Sequence, residues 1–373
     1  MLKEAALLTL NISLKMVESN IILQDASPYN IFFDFAKPVF IDLGSFVPTY
    51  TDYLWAPYQQ FCNFFLFPLY LYSSGISDLP RKLLQDCYHG VSAQNVARIL
   101  GLKEKIKSRG YMSRIFIPEL ITRLFKNIYD KEKMASLSSR LGKQIEIQKM
   151  RKKFFLSLRQ DVESVKDLDS KSNWSDYYDI TDETVLAEKK RIIENIFNEL
   201  RPATVLDIGC NTGVFSLMAE RSGALVVAVD TDHDCVNRLY RSAVKEGLKI
   251  LPIVMNVLDP SPCIGWRGIQ YSSAQERFKC DMVLAQALLH HLIFTGGQNF
   301  HRSIQSIKDF QIDSLVIEYV DINDPMAKLL PRRPTIDYSW YTLNSFVESL
   351  NVHYKEVKIL KKLSNTRTLF YCR

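Results

Sequence analysis

Residues 205–216 (VLDIGCNTGVFS) decide the fold of the second half of the chain. An apolar run rich in β-branched residues leads directly into a turn with two glycines and then into a helix-forming segment. Gly209 and Gly213 tolerate positive φ and allow a sharp turn, and Asn211 belongs to the residue type that tolerates a left-handed conformation next best. The stretch therefore predicts a strand, a tight loop, and a helix whose first N–H groups face a ligand.

The same alternation of short apolar runs and helical patterns continues to the C-terminus. It predicts five parallel strands and a closing antiparallel pair, at 203–208, 225–230, 250–255, 280–285, 314–318, 353–359 and 366–372. The helical patterns lie at 214–221, 232–246 and 342–350. Strands that alternate with helices predict a parallel sheet with crossover helices. We therefore expect an α/β, Rossmann-like domain with a mixed seven-stranded sheet and a C-terminal antiparallel hairpin.

Polar residues at the ends of the first three strands are candidates for binding a nucleoside. Asp207 can accept a hydrogen bond from a cationic amino group, and Asp230 can accept from both hydroxyls of a ribose. Asn256 and the backbone of Val257 would lie beside a base, although Asn256 serves nearly as well as a simple turn residue. The leading Asp and the wide glycine spacing favour S-adenosylmethionine (SAM) over NAD, because SAM has no pyrophosphate.

Six stretches carry a resemblance to a known family. They are VLDIGCNTGVFS (205–216), VVAVDTD (226–232), DPSPCIGWRG (259–268), DMVLAQALLHHL (281–292), VIEYVDINDPM (316–326) and NTRTLFYCR (365–373). From residue 174 to 373 the chain resembles class I SAM-dependent methyltransferases, and more narrowly the group related to nodulation host-specificity methyltransferases. The resemblance implies SAM as cofactor and methyl transfer to an oxygen or nitrogen atom of a small molecule or glycan.

Three residues after the fourth and fifth strands are candidates for catalysis. An oxygen or nitrogen acceptor loses a proton during methylation, so a nearby base is useful. His290 and His291 are of the residue type that titrates near neutral pH, and His290 is slightly favoured because only one of two adjacent histidines can face a site. Glu318 is the third candidate, with a structural pairing to Arg332 as its alternative. We expect no metal ion at this site.

A second group of residues near the N-terminus resembles the catalytic loop of the protein-kinase and aminoglycoside-phosphotransferase fold. Asp25 would be the base position, and Asn30 and Asp42 the metal-binding positions. About 20 residues precede this loop, which is too few for a nucleotide-binding lobe, and no histidine stands at the expected place before Asp25. Either the first region is a kinase-like remnant that serves as a scaffold, or the chain lacks an N-terminal portion. We expect a mainly helical, kinase-C-lobe-like region at 1–130, a helical connector at 131–173 and the methyltransferase domain at 174–373.

Composition limits the other functions. The chain has 373 residues and a net charge of +6, and residues 81–160 contain 19 Lys and Arg against 6 Asp and Glu. This basic region makes an RNA methyltransferase a less favoured alternative, and a non-catalytic SAM-binding scaffold is another. The seven cysteines form no C-x-x-C motif, which argues against a zinc site and a disulfide framework. With no apolar run of membrane-spanning length, we expect a cytoplasmic protein.

Overall fold

The computed structural model describes residues 1–49, 55–101, 105, 110–116, 144–166 and 182–373. The chain forms two compact units, Met1–Asp169 and Ser170–Arg373. The expected domain boundaries near residues 130 and 173 lie outside the described residues. In the part of the chain that the structure describes, every helix is too short or too polar to cross a membrane.

Helices make up most of the described part of the first unit. They are α1 (Leu2–Met16), α2 (Tyr58–Phe61), α3 (Phe67–Ser73), α4 (Asp78–Leu83), α5 (Ala93–Ile99) and α6 (Gln144–Glu163), with a π-helical turn at Cys62–Leu66 that joins α2 to α3. Four short strands form two antiparallel ribbons, β1 (Ile21–Leu23) with β4 (Phe46–Pro48) and β2 (Ile31–Asp34) with β3 (Lys37–Phe40). Buried aromatic rings form the core, as where the Trp55 and Phe155 ring centroids lie 5.1 Å apart.

The second unit contains the seven-stranded mixed sheet that the sequence predicts. Its strands are β5 (Thr204–Ile208), β6 (Leu225–Asp230), β7 (Ile250–Val254), β8 (Cys280–Ala285), β9 (Gln311–Val320), β10 (Val357–Lys362) and β11 (Arg367–Cys372). The strand order is β10-β11-β9-β8-β5-β6-β7. Strands β5 to β9 run parallel, and β11 is antiparallel to both β9 and β10. This order brings the carboxyl ends of five strands to one edge of the sheet.

Helices connect and cover these strands. They are α7 (Glu183–Leu200), α8 (Val214–Arg221), α9 (His233–Glu246), α10 (Ala274–Arg277), α11 (Leu289–Phe294), α12 (Phe300–Lys308), α13 (Pro325–Lys328) and α14 (Leu343–His353). Asp232 caps α9 by accepting hydrogen bonds from the N–H groups of Asp234 and Cys235, as expected for an Asp at this position. Fully buried Phe300 and Phe346 belong to the core that also contains the sheet residue Phe370.

Several boundaries differ from the sequence prediction, by one to four residues. The fifth strand extends over Gln311–Val320 rather than 314–318, because both ends continue the hydrogen-bonded ladders to neighbouring strands. His353 is the last residue of α14 and does not begin a strand. The first strand of the hairpin begins at Val357.

Candidate functional site

The loop after β5 makes a tight turn with three residues at positive φ. Gly209, Asn211 and Gly213 have φ values of 76°, 51° and 89°. The N–H groups of Gly209 and Cys210 donate to the carbonyl of Val229 at 2.8 and 3.0 Å, which ties the turn to the end of β6. Gly213 then caps the N-terminus of α8. The sequence predicts this turn because Gly and Asn accommodate such backbone angles at low cost.

Asp207 lies beneath this loop rather than on its open side. It is 1% exposed, and it accepts a hydrogen bond of 2.6 Å from the hydroxyl of Ser216 on α8. Burial raises the pKa of this carboxyl to about 7, against the opposing hydrogen bond from Ser216. In the structure Asp207 therefore braces the loop against the first turns of α8, whereas the sequence placed it opposite a cationic amino group.

Asp230 links the loop to the neighbouring strand. Its Oδ2 atom accepts from the N–H of Asn211 at 2.8 Å, and its Oδ1 atom accepts from the N–H of Asp232 at 2.9 Å. Burial raises the pKa of this carboxyl above its ordinary value. Each carboxylate oxygen accepts more than one hydrogen bond, so Asp230 can accept a further donor such as a hydroxyl of a diol.

A cleft of about 450 Å³ opens above the carboxyl ends of these strands. This volume is in the range of small-molecule sites. Five of the seven residues expected to bind the cofactor line it, and they are Gly209, Asn211, Asp230, Asn256 and Val257. The other two, Asp207 and Gly213, are not among its lining residues. Asn256 holds its own turn, because its Oδ1 atom accepts from the N–H of Leu258 at 3.0 Å.

The segment after β8 forms the opposite wall of the cleft. Gln286, Ala287, Leu288 and His291 line it, and Ala287 has a positive φ of 49°. A Cβ at Gly209 would lie 3.2 Å from the Cδ1 atom of Leu288, so this wall approaches the glycine loop closely. The side chain of Leu288 therefore leaves little room for a residue larger than glycine at position 209.

The two adjacent histidines face different surroundings. His291 lines the cleft, and burial lowers its pKa to about 4. His290 is 2% exposed and is not among the residues that line the cleft. Burial is the main cause of its pKa being held well below the ordinary value. The structure therefore places His291 at the cleft, although the sequence slightly favours His290.

Glu318 is fully buried and belongs to an ionic cluster. The Lys189 ammonium lies 2.5 Å from one of its oxygens, and the Arg367 guanidinium lies 3.5 Å from the other. Arg367 also binds both oxygens of Asp324, at 2.9 and 3.0 Å. The pairing with Arg332 is the structural alternative to a catalytic role, and in the structure Glu318 pairs instead with Lys189 and Arg367, while the Arg332 guanidinium donates to backbone carbonyls.

Lys189 and Gln286 are among the residues lining the cleft that sequence reasoning missed. The sequence gives a reason to single out Lys189, because this lysine lies on the apolar stripe of α7 with Ile193 and Phe197. In the structure all three side chains are buried. Such a position is otherwise apolar in an amphipathic helix. Gln286 left a weaker signal, as a polar residue directly after a buried strand.

Comparisons with known proteins agree with this geometry. Nodulation protein NoeA of Rhizobium meliloti is 25% identical over an alignment of 375 residues, and this alignment covers 99% of this chain and 77% of that protein. Ribosomal protein L11 methyltransferase of Campylobacter hominis is 42% identical over 48 residues, 13% of this chain and 16% of that protein. No family model matches the chain.

The strand order identifies the fold of the second unit. Numbered within the sheet, the order 6-7-5-4-1-2-3 with an antiparallel seventh strand, a glycine loop after strand one and an acid after strand two is the arrangement that the resemblance implies. The second unit has the Rossmann-like fold of class I methyltransferases. Likeness to NoeA along nearly the whole chain confirms the narrower resemblance to the nodulation group.

A solved structure is also similar to part of this chain. The bifunctional kinase-methyltransferase WbdD aligns with 51% of this chain at 16% identity and a TM-score of 0.35. The alignment covers 38% of the WbdD chain, well under two thirds of its length.

The kinase-like residues of the first unit lie on two loops that contact each other. The N–H of Gln24, next to Asp25, donates to the carbonyl of Ser45, and the N–H of Ile41, next to Asp42, donates to the carbonyl of Asn30. The Asp25 carboxylate accepts a hydrogen bond from the N–H of Ser27 at 2.9 Å, and this bond stabilises the turn that contains Asp25. Phosphotransfer by these residues stays an unfavoured interpretation.

Proposed function

We propose that this protein transfers a methyl group from SAM to an oxygen or nitrogen acceptor on a small molecule or glycan. The observation that carries the proposal is the junction of Asp230 with the glycine loop. A carboxylate held by the N–H of Asn211 stands at the rim of a cleft that the turn at Gly209 leaves open. A ribose diol can donate to this carboxylate, and the buried side chains of Met255 and Val257 on the same wall suit the face of a purine.

Residues on the opposite wall suit the acceptor. When bound, SAM supplies a sulfonium-linked methyl group, which passes to the lone pair of the acceptor while the carbon–sulfur electron pair stays on sulfur. His291 is neutral at pH 7, since burial lowers its pKa to about 4, so its ring nitrogens can orient the acceptor by hydrogen bonding. The same low pKa makes this imidazole a weak base. Lys189 is held in place by Glu318 and adds positive charge to the same cleft.

Calorimetric titration with SAM and with S-adenosylhomocysteine tests the donor site. We expect Asp230→Asn to weaken binding by about 10- to 100-fold, because hydrogen bonds to a charged group contribute about 1.5–3 kcal/mol. Asp313→Asn is the matched control, because Asp313 is exposed and is not among the residues that line the cleft. Equal binding by the wild type and Asp230→Asn would remove the basis of the proposal.

Methyl transfer distinguishes an enzyme from a SAM-binding scaffold. Incubation with methyl-labelled SAM and fractionated extract, followed by scoring of small molecules, glycan, RNA and protein, should place the label in the small-molecule or glycan fraction. Binding of SAM without label transfer to any fraction would favour the scaffold.

Part of the described basic region is engaged in contacts within the first unit, although Lys82, Lys149 and Lys153 are exposed. Arg114 pairs with Asp161 at 2.9 Å, and both side chains are largely buried. Arg151 is 6% exposed, and Lys152 pairs with Glu18 at 3.2 Å. These basic side chains take part in contacts within the first unit. Label in the RNA fraction, with RNA affinity that falls steeply as salt rises, would favour the RNA alternative.

A further inference from the structure

A second cavity of about 500 Å³ opens in the same unit, lined by residues between 293 and 302 and between 336 and 349. Leu292 and Gly296 line the cleft, whereas the residue that follows each of them, Ile293 and Gly297, lines the second cavity. The two sets of lining residues have no member in common. The volume is in the range of small-molecule sites, so the second cavity can hold a ligand of its own.

Aromatic rings contribute to the wall of the second cavity. Trp340 and Tyr338 both line it, and their ring centroids lie 6.4 Å apart. Phe300 packs edge-on against Trp340 at 5.4 Å. Trp340 and Tyr338 are only partly buried, so their side chains keep surface that a ligand can cover. The face of an aromatic ring is electron-rich, which suits the C–H groups on the flat side of a sugar ring.

Two serine hydroxyls line the same cavity and keep hydrogen-bonding capacity. The hydroxyl of Ser345 accepts from the hydroxyl of Thr342 at 3.0 Å, and the hydroxyl of Ser349 donates to the carbonyl of Ser345 at 2.8 Å. A hydroxyl provides one donor and two acceptor positions, so each serine can bond to a further group. The second cavity therefore combines an aromatic wall with hydrogen-bonding side chains, as a ring with several hydroxyls requires.

Two guanidinium groups add positive charge to the second cavity. Arg302 lines it, and the Arg333 guanidinium lies over Gly297, where an added Cβ would be 2.9 Å from one of its nitrogens. Both arginines are exposed, and neither side chain has an ion pair or hydrogen bond within the described part of the chain. The described lining residues include no Asp or Glu, and Asp337 nearby in sequence accepts from the hydroxyl of Ser339. Because arginine binds carboxylates and phosphates through paired N–H groups, this charge favours an anionic ligand.

We propose that the second cavity binds an acidic sugar, which is a sugar ring that carries a carboxylate or phosphate group. The ring lies against Trp340, its hydroxyls bond to Ser345 and Ser349, and its anionic group pairs with Arg302 and Arg333. Because these residues are separate from those of the cleft, the inference stands apart from the proposed methyl transfer.

Calorimetric titrations of the full chain with four probes test this site. Glucuronate and glucose 6-phosphate carry both the ring and the charge, glucose carries the ring alone, and inorganic phosphate carries the charge alone. The affinities are measured for the wild type, Arg302→Gln and the matched control Arg221→Gln. Arg221 is an exposed arginine of α8 and lines neither the cleft nor the second cavity. Asp230→Asn, which alters the cleft, is a second control.

We expect the wild type to bind at least one of the two acidic sugars about tenfold more tightly than glucose and inorganic phosphate. Arg302→Gln should lose about tenfold in affinity for that acidic sugar, whereas Arg221→Gln and Asp230→Asn should stay within about twofold of the wild type. Acidic sugars that bind no more tightly than glucose, or than inorganic phosphate, would overturn the inference. So would full affinity in Arg302→Gln, or a similar loss in Asp230→Asn, since that loss would place the sugar in the cleft.

Discussion

Replacement of Asp207 by Asn removes a buried carboxylate while keeping the shape of the side chain. Burial raises the pKa of Asp207 from an ordinary 3.8 to about 7 in the folded chain. Between these values the folded state holds a proton that the unfolded state has released. Because the folded state binds more protons, the free energy of unfolding falls as pH rises through this range, and the loss is complete above about pH 7.

The size of this loss follows from the two pKa values. The difference between 3.8 and about 7 corresponds to about 4 kcal/mol. About a third of it is already present at pH 5. In Asp207→Asn a neutral amide takes the place of the carboxyl, and its oxygen can still accept from the hydroxyl of Ser216. The variant should therefore gain about 3 kcal/mol relative to the wild type between pH 5 and pH 8.

Native-state hydrogen exchange of the β5 amides, with urea as denaturant, measures the stability of the second unit at each pH. Asp313→Asn is a control for the loss of one carboxylate at an exposed position. The contribution of Asp230, whose pKa is also raised, is present in both chains and largely cancels in their difference. A difference between Asp207→Asn and the wild type that stays constant from pH 5 to pH 8 would refute the reasoning.

Two further substitutions test the packing of the second unit by urea unfolding. Gly213→Ala should lower the free energy of unfolding by about 2–3 kcal/mol, because φ is 89° and a Cβ would clash with the Cδ1 atom of Leu239. Gly223→Ala shares the positive φ but meets no atom within 4 Å, so it should lose only about 1 kcal/mol; similar losses would mean that the clash is relieved. Lys189→Met should lower the free energy of unfolding by about 3 kcal/mol, since Glu318 then keeps only the more distant Arg367 as a partner. A decrease under about 1 kcal/mol would show that the Lys189–Glu318 pair contributes little.

The sheet could be predicted from the sequence because its signals are local. Apolar runs such as 225–230 and 280–285 are bounded by turn residues, and both form strands with these bounds. The left-handed turn at Gly209 and Gly213 is equally local, since the residue types alone permit it. Strand limits such as those of Gln311–Val320 were less predictable, because neighbouring strands determine how far a ladder continues.

The position of each histidine could not be predicted from the sequence alone. Which of two adjacent helical residues faces the cleft depends on where the helix begins and how it is rotated. Helix α11 begins at Leu289, and its packing against the sheet buries His290 and leaves His291 at the cleft wall. The residue types identify a candidate pair, and only tertiary packing separates its members.

The ionic cluster around Glu318 shows how a buried charge can act on the cleft without facing it. Glu318 and Lys189 are 129 positions apart in sequence and meet at 2.5 Å. Only Lys189 of this pair lines the cleft. A buried lysine needs a partner for its charge, and the carboxylate that supplies it is itself held by Arg367. Because Arg367 also pairs with Asp324, the four charges balance and the cationic end of Lys189 is held in one place. The cluster joins side chains from two strands of the sheet and from α7, which precedes the sheet, so no single segment of sequence predicts the pairing. The lysine on the apolar face of α7 does indicate that it has a partner.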